Sequence, residues 1–287
     1  MMDEISILYD KIRYEEKSLH EKAIKRGLKV SLLDAKNISL NTSSKHSDFN
    51  QSRVFLQRCL SHYRSLYLTT CLEFLGLNVI NSSSIIDTCG NKLKTSLKLA
   101  QNNIPTPKTH FAFSVEGFKE LLTEIGYPKV LKPIVGSWGR GVFPLRNQEL
   151  ANMILEIREE DTNPLSRIYY VQEMIKRPPR DIRCIVIGNK LITSVYRYSA
   201  DDEWRTNVAR GGRTEIAPIT KELEDIVIKT SEAIGGGILG VDLMEDLDNG
   251  LVVHEVNNNV EFRGASLVSH VDIADAILDY LETFLKR

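Results

Sequence analysis

The residues best placed to do chemistry lie between Ile238 and Gly264, where two apolar, β-prone runs flank Asp248-Asn249-Gly250. A turn of this kind between such runs is a strong short-range hairpin signal. A two-residue loop at Asp248-Asn249 sets Asp242 opposite Glu255, and a loop at Asn249-Gly250 sets it opposite Asn257. Side chains alternate along a strand, so both registers put Asp242, Glu255 and Asn257 on one face. A three-residue loop without a bulge would separate them. Carboxylates gathered in this way repel unless a cation intervenes, and hard oxygen donors suit Mg²⁺, which completes its octahedron with water and phosphate oxygens. The alternative is an ordinary hairpin with a solvated acidic face. The flanking Val241, Leu243, Val252, Val253 and Val256 argue for burial instead.

A second group surrounds Lys132, which ends an apolar run and precedes the loop Gly136, Ser137, Trp138, Gly139, Arg140 and Gly141. Glycines let backbone N–H groups approach an anion closely, so this loop beside a lysine suits the phosphates of ATP. It is no Walker loop, because no Gly-Lys-Ser/Thr opens a helix after it. A flexible hairpin with Trp138 packed on a neighbour is the other reading. Glu173, Met174 and Ile175 leave a strand for a loop, where a backbone donor and acceptor can meet adenine. Arg183, Arg197 and Arg210 can gather around phosphate or carboxylate, since guanidinium forks bind such groups bidentately, or they can be plain surface arginines.

Strands and helices must position these groups. Ile5 to Tyr9 reads as a buried strand, Glu15 to Arg26 as a helix stopped by Gly27, and Lys29 to Leu33 as a second strand. Val54 to Leu56, a helix from Ser61 to Leu75, and Val79-Ile80 complete a first α/β layer. That layer lacks a Gly-rich fingerprint, so a dinucleotide site there finds no support. The character changes between Ser82 and Thr109, where Asn91 to Gln101 forms a basic helix ahead of Pro105 and Pro107. A domain boundary is placed there, near residue 84. Further strands are expected at Thr109 to Phe113, Lys129 to Pro133, Val142 to Leu145 and Ile168 to Ile175. A hairpin turning at Asn189-Lys190 follows, then helices at Lys221 to Ile234 and Ser269 to Leu285. The fold class is α/β, of the α+β kind.

The 287 residues are 42% hydrophobic and 26% charged, with a net charge of −1 that gives no pull toward nucleic acid. No apolar run reaches membrane-spanning length and the N-terminus lacks a signal peptide's pattern, so a cytoplasmic protein is expected. Cys59, Cys71, Cys89 and Cys184 form no Cys-x-x-Cys pair and read as reduced thiols. The histidines receive no role.

The order of these signals resembles the ATP-grasp carboxylate–amine ligases over nearly the whole chain. The resemblance runs from Lys92 and Lys132 with its glycine loop, through Val-Gln-Glu-Met-Ile and Asp-Ile-Arg, to Asn207 with Ala-Arg-Gly-Gly and finally Asp242, Glu255 and Asn257. Within them it looks most like the RimK-like branch, and there like the LysX/ArgX ligases that act on the carrier protein LysW. The resemblance implies an ATP-grasp fold, with an N-terminal α/β domain at 1–84 followed by two β-rich lobes that clasp ATP. These are a lid lobe at 109–175 and a catalytic lobe at 176–287, together forming an ATP-grasp region from residue 85 onward. It implies Lys92 and Lys132 on the phosphates, Gln172 to Ile175 and Asp181 among the nucleotide contacts, and two Mg²⁺ on Asp242, Glu255 and Asn257. Arg183, Arg197, Asn207 and Arg210 would face the transferring phosphoryl group. Asn258, Asn259, Val260 and Arg263 would face the amino acid. The implied partners are the acidic carrier LysW and free glutamate or α-aminoadipate, in a homo-oligomeric enzyme. The segment Asn258 to Gly264 looks more like that of the glutamate users.

Overall fold

The computed structural model describes residues 5–42, 52–198 and 213–285. Asn207 and Arg210 lie outside the described residues. The opening segment alternates strand and helix: β1 (Ile5–Tyr9), α1 (Tyr14–Lys25), β2 (Val30–Asp34), β3 (Val54–Gln57), α2 (His62–Phe74) and β4 (Val79–Ile80). The strands pair in parallel in the order β2-β1-β3-β4. Because connections diverge on either side of the β1/β3 pair, a crevice opens at the carboxyl ends of these two strands. Arg13 to Glu16 follow one of those ends and Arg58 to Tyr63 the other.

Helix α3 (Ser83–Cys89) was not anticipated. It is too short for periodicity to show, and Ser82 caps it by accepting the Ile85 N–H at 3.4 Å. Helix α4 (Lys92–Gln101) follows, capped by Asn91. A second layer contains β5 (Thr109–Ala112), α5 (Val115–Ile125), β6 (Lys129–Lys132), β7 (Phe143–Leu145), α6 (Gln148–Glu160) and β8 (Tyr169–Glu173). Its antiparallel sheet runs β5-β8-β6-β7 over a core of its own that includes Phe118, Leu122, Leu131, Leu145 and Tyr169.

The third layer holds β9 (Arg180–Ile187), β10 (Lys190–Tyr198), β11 (Thr214–Ile216), α7 (Lys221–Ile234), β12 (Ile238–Asp246) and β13 (Gly250–Asn257), and the chain closes with α8 (Arg263–Ser266) and α9 (Ile273–Leu285). Its sheet runs β11-β10-β9-β12-β13. One face, with Ile182, Cys184 and Val186, packs under α7 in a core shared with Leu223 and Val227. The other, with Ile185 and Ile187, packs against α9 and against Ile5, Ile7, Val54 and Leu56 of the first sheet. The β9–β10 turn is Gly188-Asn189, one residue earlier than expected, since Ile187 pairs with Lys190. Both turn residues have positive φ, 54° and 63°, as this tight hairpin connection requires.

The β12–β13 hairpin corrects the expected loop. Asp246 pairs with Gly250, leaving a three-residue connection at Leu247-Asp248-Asn249. A bulge then offsets the added residue: Leu243 pairs with Val253 but Asp242 pairs with Glu255, so His254 is the extra residue. Asp242 therefore faces Glu255 after all, and Asn257 stands opposite Gly240. All four cysteines are free, with Cys71 exposed and the others buried. Among the described residues no helix is long and apolar enough to cross a membrane.

Candidate active site

The bulged hairpin projects its carboxylates into a cavity of about 1020 Å³ lined by residues of all three layers. Asp242 is 2% exposed. Arg183, its neighbour across the β9–β12 pair, hydrogen-bonds both its carboxylate oxygens, and Arg197 reaches Oδ2 at 3.0 Å. Arg197 in turn donates to both oxygens of Asp181 at 2.8 Å. A row Asp181–Arg197–Asp242–Arg183 results, and Asp181 is thus held by a guanidinium. Burial pushes the Arg197 pKa down, but Asp242 and Asp181 outweigh it and hold the guanidinium firmly charged. A side chain at Gly240 would meet Val260 Cγ2 at 2.7 Å and Arg183 Nη1 at 3.2 Å, so the row needs a glycine there.

Across the cavity, Lys92 at the first turn of α4 lies 3.3 Å from Glu255 and donates to the Gly136 carbonyl at 2.7 Å, tying the glycine loop to the carboxylates. Lys132, at the end of β6, is 5% exposed and contacts Gln172 Oε1 at 2.5 Å and His254 Nδ1 at 3.2 Å. Burial lowers the Lys132 pKa to about 7, with Glu255 acting against the shift and Lys92 and Arg177 adding to it. Burial raises the Glu255 pKa, but Lys92 and Lys132 outweigh it and keep the carboxyl below its ordinary value. Burial and the neighbouring Lys132 hold His254 well below its usual range, so it is a neutral imidazole.

The glycine loop edges the same cavity through Gly136, Ser137, Trp138, Gly139 and Arg140, while Gly141 does not line it. Trp138, Gly139 and Gly141 have positive φ, and the Arg140 guanidinium sits 5.1 Å from the Trp138 ring. Gln172, Glu173, Met174 and Ile175 line the wall beyond Lys132. Asn258, Asn259 and Arg263 line it as well, whereas Val260 does not: it is fully buried in the core, and its carbonyl accepts a hydrogen bond from Arg58 Nη2 at 3.1 Å. Glu261 pairs with Arg13 at 3.1 Å rather than with Arg263.

Residues the sequence did not single out complete the site. His254 enters because the bulge turns it toward Lys132. Arg13, Tyr14, Glu15, Leu60, His62 and Tyr63 enter from the β1/β3 crevice. The strand order would have flagged that crevice, but strand order is not visible in a single sequence.

Asp242, Glu255 and Asn257 offer hard oxygen donors from adjacent strands, which fits a Mg²⁺ ion. The fit is best at Glu255 and Asn257, since guanidinium N–H groups already occupy both Asp242 oxygens. Among the described residues no group of three His, Cys, Asp or Glu side chains stands ready to hold a metal. Two lysines and two arginines converge on three carboxylates, a small cationic excess suited to a polyanion such as ATP.

Residues 5–88 match the LysX preATP-grasp domain, and residues 89–281 the RimK-like ATP-grasp domain. The chain is 37% identical over 275 residues to the α-aminoadipate–LysW ligase LysX of Saccharolobus solfataricus, covering 96% of this chain and 99% of that one. It is 33% identical over 278 residues to the glutamate–LysW ligase ArgX of Sulfolobus acidocaldarius, covering 97% and 98%. A crystal structure of a RimK domain ATP-grasp protein from Sphaerobacter thermophilus superposes with a TM-score of 0.79 at 25% identity, covering 97% of this chain and 99% of the other. Fold, site and relatives agree that the chain belongs to the RimK-like ATP-grasp ligases, ATP-dependent enzymes that use Mg²⁺.

Proposed function

We propose that this ligase joins the α-amino group of a dicarboxylic amino acid to the side-chain carboxylate of the C-terminal glutamate of a LysW carrier protein. The observation that carries the ligase chemistry is the single cavity in which Lys92, Lys132, Arg183 and Arg197 converge on Asp242 and Glu255. The carrier is supported by relatives named as LysW ligases that match nearly the whole length of the chain.

A carboxylate does not react with an amine at neutral pH, because hydroxide leaves poorly and the amine is protonated. Phosphorylation by ATP makes an acyl phosphate; the amine attacks it, and the tetrahedral intermediate expels phosphate. Such chemistry needs charge neutralisation and positioning more than a covalent nucleophile. Lys92 and Lys132 hold the phosphates, and approaching anionic oxygens favour the protonated form of Lys132, whose pKa burial lowers to about 7. The Gly136–Gly141 loop covers them, and Gln172 to Ile175 meet the adenine. Arg183, Arg197, Asn207 and Arg210 face the transferring phosphoryl group, with Asp181 keeping Arg197 in place. Glu255 and Asn257, with Asp242, hold two Mg²⁺, which when bound neutralise phosphate charge. Residues 1–84 act as a domain that brings the amino-acid end of the cavity to the ATP-grasp region 85–287.

The Asn258–Gly264 segment supports L-glutamate as the amine and a place in arginine or ornithine synthesis; the 37% identity to LysX supports α-aminoadipate and lysine synthesis. The two acids differ by one methylene, worth only about 1–3 kcal/mol of discrimination. The test is ADP release with Mg²⁺-ATP and purified LysW, with each acid in turn, and the mass gained by LysW. Turnover with glutamate alone establishes the arginine branch. Turnover with aminoadipate alone establishes the lysine branch, and turnover with both a bifunctional enzyme. No turnover with either sinks the LysW reading and favours a ribosomal-protein or small-molecule acceptor.

A further inference from the structure

The cavity extends past the phosphate lysines to the β1/β3 crevice, where it is lined by Arg13, Tyr14, Glu15, Glu261 and Arg263. Glu15, in the first turn of α1, is 4% exposed. Its Oε1 accepts the Phe262 N–H at 3.1 Å and the Arg263 N–H at 3.0 Å, fixing the loop after the acidic hairpin. Its Oε2 takes no hydrogen bond among the described residues. A carboxylate offers about four acceptor positions, and Oε2 is not among the fully buried unpartnered atoms, so it stands open to the cavity that Glu15 lines.

The nearby Arg13 and Arg58 guanidiniums attract the Glu15 charge, but among the described residues neither makes a hydrogen bond to it. Arg13 is committed to Glu16 at 2.7 Å and Glu261 at 3.1 Å. Arg58 is committed to Glu16 at 3.0 Å and the Val260 carbonyl. Arg263 makes no ion pair among the described residues and lies 5.9 Å from the Tyr14 ring. A carboxylate with one free acceptor oxygen and a guanidinium without an ion pair thus line the same end of the cavity, linked through the Arg263 N–H.

We propose that Glu15 is the residue that binds the α-ammonium group of the incoming amino acid, through Oε2, with Arg263 receiving a carboxylate of the same molecule. The inference rests on the ligase reading above. A zwitterion matches this pair, since ammonium–carboxylate and guanidinium–carboxylate hydrogen bonds are both charge-assisted. Binding there brings the amino group into the cavity that holds Lys92, Lys132 and Glu255, where the acyl phosphate forms.

Glu15→Gln tests this while sparing the loop, because the amide oxygen still accepts the Phe262 and Arg263 N–H groups. The readouts are steady-state ADP release with LysW, Mg²⁺-ATP and the amino acid that the wild type uses, and hydroxamate formation when hydroxylamine replaces it. Hydroxylamine is uncharged at neutral pH and needs no ammonium site, so it reports acyl phosphate formation alone. The expected result is an amino-acid KM raised at least about tenfold, the loss of one charge-assisted hydrogen bond, with the ATP KM and hydroxamate formation as in the wild type. An unchanged amino-acid KM overturns the proposal. Parallel loss of hydroxamate formation also overturns it, by showing that Glu15 serves only to shape the site. A wild type that yields neither ADP nor hydroxamate with LysW fails the ligase reading itself, and the assignment of Glu15 with it.

Discussion

At Glu255 two effects oppose each other: burial disfavours the charge, and the ammonium groups of Lys92 and Lys132 favour it, with the lysines prevailing. The carboxylate is therefore ionised and available to a cation at neutral pH. Glu255→Gln keeps the shape and removes the charge. Its kcat should fall roughly 10²–10³-fold, the scale of losing one preorganised electrostatic contact. ADP release measures this, and circular dichroism should show the fold intact. A variant that turned over normally would remove Glu255 from the metal site. Asp242 is a poorer place for the same test, because its loss also strands Arg183 and removes one of the two carboxylates that hold Arg197.

The element that ties the amino-acid end together is the first turn of α1. Glu16 accepts the Arg13 N–H at 2.8 Å, closing the helix start, and pairs with both Arg13 and the buried Arg58. Those arginines hold the loop that follows β13 through the Val260 carbonyl, Asn259 Oδ1 and Glu261. Burial raises the Glu16 pKa, but Arg13 and Arg58 overcome this and leave it below the ordinary 4.5. Because the folded value is the lower one, the stability from Glu16 is fully present above pH 4.5 and is lost as pH falls through the folded value. Glu16→Gln leaves the buried Arg58 without the carboxylate it hydrogen-bonds and should cost about 3–5 kcal/mol at neutral pH. Urea midpoints measured against pH should show the gap from wild type closing in acid. A gap that stays constant would show that the charge of Glu16 is not what matters.

Across the whole molecule, the cores are unequally shared. The first sheet and the β9–β13 sheet bury Ile5, Ile7, Val54, Ile185, Ile187 and α9 in one cluster, so the two layers should unfold together. The β5–β8 layer has a cluster drawn only from its own residues, from Ala112 to Val171 among the fully buried ones. It should open as a separate unit. Native-state hydrogen exchange should find amides of β5, β6 and β8 exchanging at lower free energy than those of β1, β9 and β12. Equal protection throughout would mean that the layers are coupled more tightly than their cores suggest.

By itself the sequence determined most of the order of strands and helices, the apolar hairpin that carries Asp242, Glu255 and Asn257, and the glycine loop beside Lys132, because these depend on local periodicity and turn chemistry; the shared face of the three rests on a bulge that restores the register. Helices α3 and α8 and strand β11 escaped, being too short to show a period. The tertiary structure alone decided the pairing of Asp242 with two arginines, since Arg183 and Arg197 arrive from neighbouring strands. It alone recruited His254, because a bulge compensates for a longer loop and pattern cannot locate it. It alone buried Val260 and brought Glu15 to the cavity, because parallel strand order sets which carboxyl ends meet, and that order is a product of long-range packing.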